Sequence, residues 1–567
     1  MLHPPPPTNA YRNPMVYQHD RLTEEARIRD DITSLQAYDD QLLKIDVVRD
    51  QLIAHRAEAR RRIQCRQHLL SSFRKIPPEI WEQIFFTFCF SDDETNLRDG
   101  QYYPHLLYPI QISEHRHMKP YMLSQVCFHW RNIVNQCHAL WTRISIDLSL
   151  FLPSGDAPLQ KQALRTLRVI SERSGRLPLE LRLESYALDE DRSYFAVTPS
   201  LRRAFKEAFS RTQYLDATID IFRQIDFRGA TAFPVLRCAV LENHGDLSLP
   251  APGLFTNDQV QILLRAPQLQ CISITTLRWV VGISPFPLRH LTNFTCYGIL
   301  TRSDLEHLHH TCPTLHNLNI RVNWTTVAGE RPDVLMFAEL RGLVLHHDGW
   351  SPVSVLQHIV APSLTDLTHY SPSGGSDTVD AFTDFVDRSA CTLRVVSFHL
   401  DARRFVGNSH DMWCQVTERL PALEAFTVNL LTEGTSGGQE TAQDLLSAME
   451  PTRGGLTMYP RIRLPDLQAF SFTIEQERGR LLDGPRLQWT LQRFMTMTET
   501  RRLYRRPDRD SSSFHIASIS MQSRTRDQTN PEYEVYTDHV RSQATNLSSN
   551  GLVLTIKIND RIIFSSR

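Results

Sequence analysis

The chain has 567 residues, which is too long for one hydrophobic core, so its length predicts several domains or an array of repeats. Its 62 basic and 63 acidic residues almost cancel, which argues against a chain-wide affinity for nucleic acid or for an anionic membrane. Hydrophobic residues make up 41% and charged residues 22%, a balance typical of folded proteins and unlike that of disordered ones.

Residues 1–20 are rich in proline and polar side chains, so they are predicted to form a disordered tail. They lack the basic head and apolar stretch of a signal peptide. No apolar run in the chain approaches the roughly 20 residues that a membrane helix needs. We therefore expect an intracellular protein without a membrane partner, located in the cytoplasm, the nucleus or both.

Residues 21–73 contain neither glycine nor proline and are densely charged. Apolar residues recur at a seven-residue spacing, at Ile28, Leu35, Tyr38, Leu42, Ile45, Leu52, Ala59, Ile63, Leu70 and Phe73. The frame is imperfect, because charged residues such as Asp31 and Arg49 fall on it. The pattern predicts a long helix, which either packs on the following domain or associates with itself as a coiled coil.

A short helical domain is predicted over residues 74–145. Two prolines suited to a first helical turn precede Ile80, Ile84 and Phe85, which lie at helical spacing. A polar, aromatic-containing insert follows at 91–119. A second helical stretch then carries apolar residues at Leu123, Val126, Cys127, Trp130, Ile133 and Val134.

These residues carry a family resemblance. The phrases Ile-Pro-Pro-Glu-Ile-x-x-x-Ile-Phe at 76–85 and Val-Cys-x-x-Trp-Arg at 126–131 together resemble an F-box. They are similar to the F-box-like proteins that are numerous in mushroom-forming fungi. Ile76 stands where the family usually has leucine, and the insert at 91–119 lengthens the module.

The resemblance implies a function without catalysis by this chain. An F-box receptor docks on the Skp-type adaptor of a cullin ubiquitin ligase and brings a protein substrate to the other subunits. Carried over residue by residue, the motif assigns adaptor contact, or its direct support, to Pro77, Ile80, Ile84, Leu123, Val126 and Trp130. Any of these apolar side chains left outside so small a domain would need a partner surface.

Residues 146–483 repeat a short phrase, a leucine followed by x-x-apolar-x-apolar. Its leucines are Leu236, Leu269, Leu288, Leu315, Leu340, Leu364, Leu393, Leu423 and Leu467. Their spacings of 33, 19, 27, 25, 24, 29, 30 and 44 residues centre on the length of a leucine-rich repeat. Helical pieces such as Ser303 to His310 and Thr378 to Asp387 lie between them.

The columns of this phrase predict strands. The third residue after each leucine is apolar, and the fourth is mostly small and polar. Alternation of this kind predicts a strand with one face inward. We therefore predict an α/β fold, in which strand–helix units stack into an irregular leucine-rich-repeat solenoid with helices on its outer face. The fourth-residue side chains would face a bound protein, with candidate contacts at Ser273, Asn319, Ser397, Thr427 and Ser471.

Weaker alternation extends the array at both ends. Leucines at 179, 181 and 183, and apolar residues at 215, 217 and 219, predict two further strands on the F-box side. After about Gly484 the phrase is absent, and residues 484–567 are expected to form an atypical cap with a late strand at 552–558. The arginines at 501, 502, 505 and 506 are interpreted as a solvated loop, because no aromatic residues interleave them as in a nucleic-acid site.

One string resembles a catalytic motif. Residues 434–438 read Gly-Thr-Ser-Gly-Gly, as in a nucleophile elbow around Ser436, and Asp483 with His515 or His539 could complete a triad. A loop between strand and helix is, however, what every repeat unit supplies, and glycine and serine are common loop residues. We therefore expect no enzyme, no catalytic residue and no cofactor.

Cysteines and histidines give no metal signature. The ten cysteines include no C-x-x-C pair, so their spacing predicts neither a zinc site nor a redox pair. Neighbouring histidines, such as His309 with His310 and His346 with His347, are interpreted as polar residues of loops or of the outer side of the repeats. The alternative to a ligase receptor is a leucine-rich-repeat scaffold that has no ligase function.

Overall fold

The computed structural model describes the chain in segments. These segments are residues 14–70, 75–94, 119–147, 157–184, 199–218, 233–242, 266–274, 289–322, 334–347, 355–371, 376–402, 405, 409–432, 436–450, 464–476, 484–503, 514, 516–523, 541–542, 544–545, 547–548, 552–558 and 561–565. The chain divides into two compact units, Met1–Tyr102 and Tyr103–Arg567. None of the helices in the described segments combines the length and apolar character needed to cross a membrane.

Two α-helices lie within the described residues of the first unit. Helix α1 spans Pro14–Leu70, and helix α2 spans Pro78–Glu94. The predicted long N-terminal helix is therefore confirmed. Short-range ion pairs such as Arg21 with Glu25 (2.8 Å) lie along α1. Its large apolar side chains from Ile28 to Ile63 are exposed, as a coiled-coil seam would be before pairing. Whether α1 associates with a second copy stays a prediction.

Nine helices of the second unit have bounds within the described residues, and residues 541–542, 544–545 and 547–548 are also helical. The nine are α3 (Lys119–Val126), α4 (Phe128–Gln136), α5 (Ala157–Arg173), α6 (Pro199–Phe209), α7 (Arg302–Thr311), α8 (Ser376–Ser389), α9 (Ser409–Arg419), α10 (Ser436–Met449) and α11 (Gly484–Leu503). Two short 3-10 helices, His138–Trp141 and Val355–His358, complete them. The helices predicted at 303–310 and 378–387 are thus present as α7 and α8.

Seventeen strands are described in this unit. They are β1 (Arg143–Asp147), β2 (Leu179–Glu184), β3 (Thr212–Thr218), β4 (Cys238–Glu242), β5 (Cys271–Ile274), β6 (Asn293–Leu300), β7 (Asn317–Val322), β8 (Leu335–Met336), β9 (Gly342–His347), β10 (Ile359–Val360), β11 (Asp366–Ser371), β12 (Val395–Asp401), β13 (Ala425–Thr432), β14 (Ala469–Gln476), β15 (Ile516–Ser523), β16 (Val553–Ile558) and β17 (Arg561–Ser565). The short strands β8 and β10 pair with each other.

The other fifteen strands form one open sheet in chain order. Each strand lies between its predecessor and its successor, and β1 and β17 occupy the two edges. All pairs are parallel except β16 with β17, which are antiparallel. The predicted α/β class is therefore confirmed, as a mixed fold built on a large and mostly parallel sheet.

One face of the sheet is the core of the unit. The inward side chains form continuous columns, of which one comprises Ala239, Ile272, Phe294, Leu318, Leu343, Leu367, Val396, Phe426 and Phe470. Helices cover this face. Phe382 of α8 packs edge-on against Phe398 of β12, with ring centres 4.9 Å apart. Burial of these columns supplies the main driving force for folding.

The structure corrects the position of one repeat of the leucine phrase: its leucine is Leu291, three residues after the predicted Leu288. Ile272 of β5 pairs with Phe294 of β6, so the leucine at the start of this unit is Leu291, which is fully buried. Leu288 lies outside the described residues. The spacings around this unit become 22 and 24 residues in place of 19 and 27. Periodicity alone could not separate two leucines three residues apart.

The sheet continues beyond the last sequence phrase. Strand β15, which the phrase does not mark, pairs in parallel with β14, and β16 lies where the late strand was predicted. The solvated-loop interpretation of the arginines is wrong for Arg501, which is buried near the end of α11. Its guanidinium donates to the carbonyls of Met449 (2.9 Å) and Leu464 (3.1 Å). Burial lowers the pKa of Arg501 to about 10.

Candidate functional site

The predicted adaptor residues of the first unit begin helix α2. The carbonyl of Pro77 accepts the first backbone bonds of the helix, from the amides of Ile80 (3.1 Å) and Trp81 (3.3 Å). Ile80 and Ile84 lie one turn apart, with 44% and 45% of their surfaces exposed. Phe88, one turn farther along, is also exposed, and the sequence analysis did not single it out. Helix α2 therefore presents an apolar stripe of Ile80, Ile84 and Phe88.

The adjacent face of α2 carries two buried aromatic residues. Trp81 and Phe85 are both buried, and their ring centres lie 5.4 Å apart. Phe85 was grouped with Ile80 and Ile84 in the sequence, but in the structure it is buried, whereas those two side chains are exposed. The reason is helical geometry: a residue next to Ile84 is rotated by about 100° around the axis.

The predicted adaptor residues of the second unit differ in exposure. Leu123 of α3 is buried, Trp130 of α4 is half-buried, and Val126 is 61% exposed. Met122, four residues before Val126, and Phe128, two residues after it, are also exposed, by 53% and 73%, and the sequence analysis missed both. Helices α3 and α4 meet at a corner near Cys127. Leu123 is buried inside this corner, whereas Met122, Val126 and Phe128 are its exposed apolar residues.

Local contacts hold the corner between α3 and α4. The Cys127 sulfur accepts from the amide of Trp130 (3.4 Å) and so caps the N-terminus of α4. The guanidinium of Arg131 donates from Nε to the carbonyl of Ser124 (2.9 Å) across the corner. These bonds satisfy backbone groups that the break between two helices leaves free.

An aromatic cluster joins this corner to the sheet. The indole of Trp141, just before β1, donates to the carbonyl of Val134 (2.8 Å) and meets the Tyr121 ring edge-on at 5.0 Å. The guanidinium of Arg173, at the end of α5, lies 4.4 Å from the centre of the Trp141 ring. Burial raises the pKa of Tyr121, although the charge of Arg173 opposes the shift. Helices α3 and α4 are thus bound to the first strands.

The predicted target-binding residues occupy one row of the sheet. Strand register aligns Ser273, Thr295 and Asn319 side by side, and Ser397, Thr427 and Ser471 in the same row farther along. This row lies on the face opposite the core columns. Of the five predicted residues, Asn319 is buried and the other four are half-buried. The structure therefore brings these residues into alignment.

A neighbouring row on the same face is aromatic, and the sequence analysis did not single it out. His346 of β9, Tyr370 of β11 and His399 of β12 are register partners. Their rings stack, with centres 4.3 Å apart for His346 and Tyr370 and 3.9 Å apart for Tyr370 and His399. Tyr297 meets His346 edge-on at 6.1 Å. We call His346, Tyr370 and His399 the stacked row.

Hydrogen bonds connect the two rows. The amide nitrogen of Asn429 lies 3.0 Å from Nδ1 of His399, and the hydroxyl of Ser397 lies 3.5 Å from Nε2 of the same ring. The amide of Asn319 donates to the hydroxyl of Tyr297 (3.4 Å). Two of the predicted contact residues, Asn319 and Ser397, thus support aromatic side chains. Rigid aromatic rings among small polar groups are typical of surfaces that bind proteins.

The paired histidines 346 and 347 are not loop residues or outer-side residues. Both belong to β9 and both are buried: His346 joins the stacked row, and His347 points to the core side. Alternation along a strand sends neighbouring side chains to opposite faces, which explains their different surroundings. His309 of α7 instead contacts the carbonyl of Met336 from Nε2 (3.0 Å).

The catalytic-looking motif lies only partly within the described residues. Ser436 is the first residue of α10, and Gly434, Asp483, His515 and His539 lie outside the described residues. Within the segments that the structure describes, no three histidine, cysteine, aspartate or glutamate residues are grouped to hold a metal ion.

Comparison with known proteins gives no further assignment. No protein-family model matches the chain, and no curated protein matches it in sequence.

Proposed function

We propose that this chain is the substrate-recognition subunit, an F-box receptor, of an SCF-type cullin ubiquitin ligase, in the cytoplasm or nucleus. Residues 74–145 dock on a Skp-type adaptor, which connects the chain to a cullin. The sheet of the second unit, built as an irregular leucine-rich-repeat solenoid, binds the protein substrate. The chain performs no catalysis: it raises the effective concentration of the substrate near the conjugating enzyme.

The observation that carries the adaptor site is the exposed apolar stripe of α2. Ile80, Ile84 and Phe88 expose nearly half of their surfaces at one-turn spacing. The motif that resembles an F-box assigns adaptor contact to the first two of them. Exposed apolar side chains arranged in a patch mark interaction sites on soluble proteins, since solvation alone would favour polar residues there. Met122, Val126 and Phe128 add a second apolar surface within the same motif.

The proposal of a solenoid is based on the repeated strand register of the sheet. Parallel strands follow one another in chain order, and each strand adds its inward side chains to the same buried columns. Units of this kind bury their apolar face only by stacking on their neighbours. The row from Ser273 to Ser471 and the stacked row then provide the surface for the substrate.

Co-purification with a Skp-type adaptor tests the proposal. We expect the wild-type chain to retain the adaptor and the Ile80→Asp, Ile84→Asp double variant to lose it. Two desolvated charges in an apolar interface should weaken binding by at least about 30-fold. The matched control is Leu35→Asp, Leu42→Asp, which places the same charges at exposed aliphatic positions of α1.

The outcomes separate the two functions considered. Loss of the complex only in the α2 variant, with unchanged circular dichroism, supports the ligase receptor. Equal loss in the α1 control would show that the α2 stripe is not the site. If the folded wild-type chain forms no complex, the ligase proposal fails and a repeat scaffold remains, because its protein-binding face does not depend on the adaptor.

A further inference from the structure

Two cysteines that are 33 residues apart in sequence lie side by side in the sheet. Cys238 begins β4, Cys271 begins β5, and the two residues are direct register partners in a parallel pair. Neighbouring strands lie about 4.8 Å apart. A disulfide needs Cα atoms roughly 4.4–6.8 Å apart, so this backbone arrangement lies within the required range.

Both thiols point to the same face of the sheet. Ala239 and Ile272, the next residue in each strand, are buried in the core columns, so Cys238 and Cys271 project to the opposite side. There both are half-buried, and neither forms a disulfide. Solvent therefore reaches the pair, in contrast to Cys296 and Cys312, which are buried.

The two sulfurs are chemically unequal. A hydrogen bond from Cys238 lowers the pKa of the Cys271 thiol. The same interaction, together with burial and the carboxylate of Asp216, raises the pKa of Cys238. Asp216 belongs to the adjacent strand β3, where Arg182 donates to it at 2.6 Å. Cys271 is therefore the more acidic thiol, and the thiolate is the nucleophilic form of cysteine.

We propose that Cys238 and Cys271 form an oxidation site at which a hydroperoxide converts the two thiols into a cross-strand disulfide. The Cys271 thiolate attacks the distal oxygen of hydrogen peroxide, the O–O bond breaks, and the released hydroxide takes a proton to become water. Cys271 is then a sulfenic acid. The Cys238 sulfur attacks the Cys271 sulfur, and the hydroxyl group leaves as a second water with the Cys238 proton.

This step is balanced in atoms and electrons. The two thiols lose two electrons and two protons in total, and the peroxide accepts them to give two waters. The product bridges β4 and β5 on the face that carries Ser273, two residues after Cys271. The site does not rest on the proposed ligase function, because it follows from strand register alone.

Peptide mapping of the full-length chain tests the proposal. The reduced protein is treated with hydrogen peroxide, free thiols are alkylated with iodoacetamide, and trypsin is added. Trypsin releases Cys238 in peptide 238–265 and Cys271 in peptide 266–278, each with a single cysteine. We expect these two peptides to appear joined, and the alkylated fraction of both to fall about tenfold. Cys391, which is also half-buried, serves as the internal control and should stay alkylated.

Two variants assign the roles of the sulfurs. In Cys238→Ser, the sulfenic acid of Cys271 should persist and react with dimedone. In Cys271→Ser, Cys238 should remain unlabelled by dimedone. Both variants are first compared with the wild-type chain by circular dichroism. The wild-type measurement stands by itself if a variant fails to fold.

Three results would overturn the proposal. They are a wild-type chain whose two peptides stay separate after peroxide treatment, a link that forms only in denaturant, and oxidation of Cys391 to the same extent. Dimedone labelling of Cys238 in place of Cys271 would overturn the assignment of the attacking sulfur. Phenylarsine oxide, which bridges two neighbouring thiols, gives an independent check: it should protect both cysteines from alkylation, and failure to do so counts against the pair.

Discussion

His369 occupies a position in β11 that apolar side chains fill in the adjacent strands. Its register partners are Leu345 of β9 and Phe398 of β12, and all three side chains are buried. Burial lowers the pKa of His369 to about 3, and the nearby rings of His347 and His346 act in the same direction. The core therefore accepts the neutral ring and excludes the charged one.

This histidine should make stability depend on pH. The unfolded chain binds a proton at His369 near pH 6.5, whereas the folded chain binds it only near pH 3. Between these values the unfolded state holds more protons, so the stabilisation is present above about pH 6.5 and is lost as pH falls. We expect His369→Phe to remove a slope of up to about 1.4 kcal/mol per pH unit from the free energy of unfolding.

Urea unfolding at several pH values between about 5 and 8 measures this slope. Leu345→Ile, a mild change in the same core column, is the control and should leave the slope as in the wild-type chain. Identical pH dependence of His369→Phe and wild type would show that His369 is not the titrating group.

At the scale of single elements, capping decides where β6 ends and α7 begins. Thr301 stands between them, and its hydroxyl oxygen accepts from the amide of Asp304 (3.3 Å). The carboxylate of Asp304 accepts in return from the amide of Thr301 (2.9 Å). This capping box satisfies two backbone donors at the start of the helix. The helix can therefore begin directly after the strand.

Removal of the cap should destabilise the second unit measurably. We expect Thr301→Ala to lower the free energy of unfolding by about 1 kcal/mol, because the Asp304 amide loses its acceptor. Chemical denaturation of the full chain measures the change. Ser303→Ala, at an exposed position in the same helical turn, is the matched control and should have an effect of less than about 0.5 kcal/mol. Equal effects of the two changes would argue against the cap.

At the scale of the whole second unit, each strand pairs only with its neighbours in the sheet. Phe426 of β13 belongs to the core column between Val396 and Phe470, and its ring centre lies 6.0 Å from that of Phe470 and 6.2 Å from that of Phe398. For the solenoid proposed above, we expect stability to be close to a sum of unit terms and terms between neighbours. Damage at one strand should therefore remain local.

Hydrogen exchange tests this locality. Phe426→Ala removes a buried aromatic ring and should cost about 3–5 kcal/mol at its site. We expect faster amide exchange in β12, β13 and β14 and unchanged exchange in β1 to β3, measured by mass spectrometry. Val395→Ala, at a more exposed position of β12, is the control. Uniformly faster exchange across the unit would show all-or-none unfolding in place of local opening.

Sequence patterns predicted those parts of the fold that local periodicity encodes. The absence of helix breakers over 21–73 predicted α1, and alternation predicted the inward columns of the sheet. The patterns failed where the determining contact is distant. Arg501 looked like a surface residue because its acceptors, Met449 and Leu464, lie 52 and 37 residues away. Strand β15 lacks the leucine phrase, and its place in the sheet follows from pairing with β14.

The same division holds for the candidate sites. Two of the three residues of the α2 stripe, Ile80 and Ile84, were predicted, because their spacing alone places them on one side of a helix. The exposure of Phe88, Met122 and Phe128 was not predictable, since it depends on which surfaces the rest of the chain covers.

By itself the sequence determined the class of the fold, the long first helix and the inward face of most strands, because these depend on side chains a few residues apart. Only the tertiary structure decided which strands are neighbours and in which register. Register set His346, Tyr370 and His399 in one stack and brought Cys238 beside Cys271. The physical reason is that spacing along the chain carries no information on contacts made across the sheet, which form only when the strands bury a common core.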